Sequence, residues 1–191
     1  MLNVVKAELR KLRRPTLFFG TMGAAIFFTG LITSFIYLMI DSPQGNGDRG
    51  RSISREVLAL ASGSVNGFAS VGGFLGIIAL CVFAAQTAQE YTYGTLRNLL
   101  IRQPGRIKIL IGKLISMILF GLIMISIAAV ISIAISYILA PGAKVSTDLW
   151  FTSAGVEAIF TTFVNVTISV VAFGIVGMVL GLLLRSPISA I

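Results

Sequence analysis

The sequence predicts an all-α integral membrane protein: an N-terminal interfacial amphipathic helix followed by four transmembrane helices, with both ends on the cytoplasmic side. Three observations predict it. The 191 residues are 56% hydrophobic and only 12% charged, with a mean hydropathy of +0.96, far from the about 45–50% apolar and about 25% charged of soluble domains. Four charge-free runs are each long enough for the about 20 helical residues that cross an apolar layer of about 30 Å. The Lys and Arg residues gather in alternate segments between those runs, the pattern expected when positive flanks stay on the cytoplasmic side.

Residues 1–14 carry Lys6, Arg10, Lys11, Arg13 and Arg14 against Glu8. Leu2, Val5, Leu9 and Leu12 recur there at helical spacing, describing a short helix in the headgroup layer. Two readings remain for it: simple charge anchoring of the first span, or an elbow that packs on a partner. Pro15 separates it from span 1, residues 16–40. That run is too long for the h-region of a secretory signal, so it is read as a retained span. An external loop, 41–67, balances three Arg against Asp41, Asp48 and Glu56. Its last part, from Ala61, is rich in small and polar residues and reads as an exposed or re-entrant approach to span 2, residues 68–89. Residues 90–113 carry Arg97, Arg102, Arg106, Lys108 and Lys113 against Glu90 alone and are placed inside. Span 3 is 114–140, a weakly charged external loop is 141–157, and span 4 is 158–184, closed on the inner side by Arg185.

The net charge of +8 follows from these flanking residues, so the charge placement argues against nucleic-acid binding. With no histidine and the single cysteine Cys81, the chain lacks the residues for a Cys/His zinc site, a Ser-His-Asp triad or an intrachain disulfide. A P-loop needs Gly-Lys-Ser/Thr after a spaced glycine, whereas Gly112-Lys113 is followed by Leu114. The expectation is therefore no enzyme, no metal and no cofactor in this chain.

Transporters that bind ions or move protons commonly place ionisable groups inside a span, and no Asp, Glu, Lys or Arg stands near a span centre here. Thr161, Asn165 and Ser169 recur every fourth residue of span 4 and share a helix face, either as glue between helices or as the lining of a polar path. Gly72 with Gly76, and Gly177 with Gly181, have the small-xxx-small spacing that permits close helix packing.

The inner loop is the most distinctive segment. Leu96, Leu99 and Leu100 define an apolar edge flanked by Arg97 and Arg102, Thr95 can cap a helix, and Pro104-Gly105 stops it. The segment reads either as a basic loop on anionic lipid or as a short rigid helix able to pass a push from a soluble partner to two spans.

Glu90, the run Gly94-Thr95-Leu96-Arg97, the leucine-bearing helix, Pro104, Arg106 and Gly112-Lys113 together resemble the inner loop of the ABC type-2 exporter permeases. The N-terminal basic helix and the Ser/Gly-rich second span extend the resemblance over most of the chain. It implies that Leu2–Arg14 is an elbow helix, that Tyr93–Arg102 is a coupling helix seated in a separate ATP-binding cassette subunit, and that Glu90 is a polar anchor. It also implies ATP and Mg in that partner and a second permease copy. The family usually has six spans, and this chain shows four, with 185–191 resembling a turn into a fifth. On this resemblance the chain is an exporter subunit of a bacterial inner membrane, and the absence of charge inside its spans favours an amphipathic substrate such as an antimicrobial peptide, drug or lipid over a small ion. The rival expectations are a non-transporting scaffold or immunity protein and a secondary transporter.

Overall fold

The computed structural model describes residues 2–40, 54–92 and 106–184, with side chains described at all of these except 2–4, 90–92 and 106–108. Over these residues the chain is helical: α1 (Leu2–Leu12), α2 (Pro15–Leu38), α3 (Arg55–Ala59), a 3-10 turn (Gly63–Val65), α4 (Asn66–Thr92), α5 (Arg106–Leu139) and α6 (Ser153–Leu184). Four of them, α2, α4 joined to its 3-10 turn, α5 and α6, are long and apolar enough to cross a membrane. Between 28% and 44% of their most apolar windows is buried within the chain, so most of each apolar surface faces outward. Phe19, Leu38, Ile138 and Leu183 are each over 70% exposed. A large outward apolar surface fits lipid as the solvent, since helices satisfy their own backbone groups there.

The helix limits depart from the sequence reading in three places. Residues 106–113, assigned to the inner loop, form the first turns of α5. Charge marks where the apolar layer ends, but only a breaker ends a helix, and the Pro104-Gly105 pair lies upstream of Arg106. The start of α6 falls at Ser153, five residues earlier than span 4, where the Gly155 amide reaches the Thr152 hydroxyl at 3.4 Å in an N-terminal cap. The stretch before span 2, expected to be exposed or re-entrant, forms α3, the 3-10 turn and the start of α4, and Leu58, Gly63, Ser64, Val65, Gly67 and Phe68 within it are buried. Small side chains there serve close packing.

Two compact units divide the chain. The first comprises Met1–Ala24, Gly73–Ile125 and Thr167–Ile191. Within it α4 and α6 pack in parallel through glycine. A Cβ on Gly177 would lie 2.3 Å from the Leu80 carbonyl oxygen, and one turn on a Cβ on Gly181 would lie 2.6 Å from that of Ala84. Gly174 likewise receives the Phe83 ring, and α2 meets α5 through an edge-on Phe18–Phe120 contact at 6.2 Å. Such close backbone approach is how helices associate where no hydrophobic drive operates between them.

The second unit comprises Ala25–Gly72 and Ser126–Val166. Its centre is a cluster of Tyr37, Leu58, Ala140, Val145 and Trp150. Trp150 is fully buried, and its indole Nε1 donates to the Leu58 carbonyl at 2.9 Å. Gly63 leaves the room this ring needs, since a Cβ there would lie 2.8 Å from the indole Nε1, and a Cβ on Gly155 would fall on the Trp150 backbone carbonyl. Phe68 and Phe163 stack at 6.4 Å.

Candidate functional site

The segment 93–105 connects α4 to α5, and Gly94, Thr95, Leu96, Arg97, Leu99, Leu100, Arg102 and Pro104 lie outside the described residues. Glu90 stands in the last turn of α4 and Arg106 opens α5. The candidate site is therefore built from the helices on which this segment is mounted, all within the first unit.

Helix α1 forms because apolar side chains recur on one face and basic ones on the other. Val5 and Leu9 are half-buried and Leu12 is buried, while Lys6, Arg10, Arg13 and Arg14 are exposed. Leu2 opens the helix. A two-residue break at Arg13-Arg14 follows, and Pro15 starts α2 at the position where its missing N–H costs nothing. Beside the break lies a groove of about 580 Å³, lined by Leu9, Leu12, Pro15, Phe18, Phe120 and Ile123 with Arg13 among its walls.

One residue on the buried face of α1 is charged. Glu8 is 6% exposed, and its carboxylate accepts from the Lys11 ammonium at 2.7 Å. Burying one carboxylate is tolerated because a cation one turn along hydrogen-bonds to it. In sequence Glu8 looked like a lone acid in a basic tail. The signal that could have placed it inward is its spacing from Val5 and Leu12, which puts it on the apolar face.

Two contacts tie α5 to its neighbours. Lys113, 5% exposed, donates from Nζ to the Gln86 carbonyl of α4 at 3.3 Å. The Ser116 hydroxyl, fully buried, lies 2.8 Å from the Gly112 carbonyl of its own helix and 3.3 Å from the Val5 carbonyl of α1. Sequence placed Lys113 among the charges of the inner loop, whereas the structure buries it against α4. The one-turn neighbourhood of Lys113 and Ser116 on α5 thus joins α1, α4 and α5 next to the ends of the 93–105 connection.

Thr161, Asn165 and Ser169 do lie on one face of α6, and all three are exposed. The close contacts of α6 with α4 are made instead at Gly174, Gly177 and Gly181. Among the described residues no group of three His, Cys, Asp or Glu side chains could hold a metal ion. The arrangement is a set of packed and hydrogen-bonded helices.

Comparison with curated proteins and with solved structures gave no match. The profile of a family described as a protein of unknown function, DUF2705, matches residues 48–191, a span that includes α3 to α6 and the connection 93–105. The chain belongs to the DUF2705 family.

Proposed function

We propose that this chain is the transmembrane permease subunit of an ATP-driven exporter. Residues 93–105 form the coupling element on the cytoplasmic side, engaging an ATP-binding cassette subunit that binds ATP and Mg and performs the hydrolysis. Two permease copies then alternate between inward and outward exposure of an amphipathic substrate. The observation that carries this reading is the fastening of α1, α4 and α5 through Lys113 to Gln86 and Ser116 to Val5, beside a basic, leucine-edged connection. A docked partner pushing on that connection moves three helices, one of them the interfacial α1. Basic residues on α1 and in 90–113 support placing both in the inner leaflet of a bacterial membrane.

The test is purification from native membranes in mild detergent, identification of proteins recovered in stoichiometric amount, and an ATP hydrolysis assay. A P-loop ATPase retained by the intact chain and lost with Leu96→Asp or Leu99→Asp, with membrane insertion unchanged, supports the reading. Retention in both variants sinks the docking assignment. Recovery of the chain alone and inactive favours the scaffold or immunity role, and substrate movement driven by an ion gradient without ATPase favours a secondary transporter.

A further inference from the structure

Hydroxyl groups are treated differently in different parts of this protein. In the first unit Thr21, Thr87 and Ser116 turn back and donate to carbonyls one turn earlier on their own helices, at 2.8, 2.7 and 2.8 Å. That is the ordinary way for a Ser or Thr to be satisfied inside an apolar helix bundle. In the second unit Thr29, Tyr37 and Ser136 are almost wholly buried, and none of their hydroxyls reaches full hydrogen-bond geometry with a partner among the described residues.

These three do not stand apart from one another. Thr29, Thr33 and Tyr37 recur every fourth residue and share one face of α2, as Ser132 and Ser136 do on α5. The faces meet in parallel register: the Thr33 and Ser132 hydroxyls are 3.1 Å apart, and one turn on Tyr37 and Ser136 are close enough to interact, short of full hydrogen-bond geometry. One turn in the other direction the same register sets Thr29 level with Ala128, also fully buried. The α5 face is thus a run of small residues, Ala128, Ser132 and Ser136, opposite a run of hydroxyls. Small side chains on one face and buried hydroxyls with unused bonding capacity on both are groups that an ordered water can complete.

Both ends of the arrangement are specific. At Gly67 of α4 a Cβ would lie 2.6 Å from Thr33 Oγ1 and 2.8 Å from Ser132 Oγ, so α4 comes down onto the one directly bonded pair. Tyr37 belongs to the cluster that includes Trp150 and Leu58. Leaving several buried hydroxyls dry is unfavourable on the scale of a protein's whole stability margin. The ladder carries no formal charge, so it suits a neutral ligand that both donates and accepts. We propose that Thr29, Thr33, Tyr37, Ser132 and Ser136 form a hydration site between α2 and α5, holding ordered water in the apolar bundle beneath the Trp150–Leu58 plug. Buried waters typically make two to four bonds to such groups, and exchange of those bonds gives α2 and α5 a seam along which they can shift without baring a polar atom to lipid.

X-ray radiolysis of the full chain in lipid nanodiscs tests this, because radicals born from bound water modify the side chains beside it. In a C81S background, the A128C thiol is expected to oxidise several-fold faster than the V166C thiol, which sits buried against Gly72. Adding T29V should slow the A128C reaction and lower the thermal midpoint. Equal rates at the two positions overturn the proposal. So does a rise in midpoint with T29V, the signature of relieving a dry hydroxyl. If the cysteine variants do not insert, the unaltered chain decides: Tyr37 hydroxylation approaching that of exposed Tyr137 supports a wet site, and protection equal to that of Trp150 overturns it.

Discussion

Lys113 of α5 donates to the Gln86 carbonyl of α4 at 3.3 Å from a side chain only 5% exposed. Desolvating an ammonium is costly, and its hydrogen bonds return part of that cost.

The variant K113M keeps the packed stem and removes the charge and its bond. Loss of the bond and relief of desolvation oppose each other, so stability should stay within about 1 kcal/mol of the parent. Amide hydrogen exchange in residues 86–92 should rise as the end of α4 is released. Unchanged exchange there would show that Lys113 does not restrain α4.

Trp150 should be sensitive to a change that keeps its bulk. W150F removes the donor to the Leu58 carbonyl and leaves that buried oxygen without it, at a cost of about 1–3 kcal/mol. W150A adds a cavity, for a total loss of about 3–5 kcal/mol. Thermal unfolding in detergent checks both. A W150F midpoint equal to the parent would mean that the 2.9 Å bond contributes nothing.

Glycines in the same helix bundle should behave in opposite ways. G177A forces a Cβ toward the Leu80 carbonyl, whereas Gly73 has nothing within 4 Å of its would-be Cβ. G177A is therefore expected to destabilise by about 1–3 kcal/mol through overpacking. G73A should be neutral or gain up to about 1 kcal/mol from helix propensity. Equal midpoints for the two would contradict the close α4–α6 packing.

Asn165 is exposed on α6, within a helix apolar and long enough to cross a membrane, where lipid would offer it no hydrogen bond. On the permease reading a second copy covers this face, and amide pairs between helices contribute about 0.6–1.7 kcal/mol in membranes. N165L should then weaken self-association in cross-linking or energy-transfer assays while leaving the midpoint of the isolated chain unchanged. A midpoint that falls with association intact would place Asn165 in internal packing.

Hydropathy and composition alone determined that the chain is all-helical with four runs long enough to cross a membrane, because that outcome depends on counting apolar residues against a fixed thickness. Spacing alone also marked Gly72, Gly76, Gly177 and Gly181 as close-packing positions, and the would-be Cβ contacts with Val166, Phe173, Leu80 and Ala84 agree with that. Tertiary structure decided the rest. Glu8 and Lys113 read as surface charges until the partners that make their burial tolerable, Lys11 and the Gln86 carbonyl, were brought beside them. Thr33 and Ser132 lie 99 residues apart in sequence, and no local pattern pairs them. Whether a hydroxyl satisfies its own helix, a neighbour or a water is fixed only when two helices settle into one register.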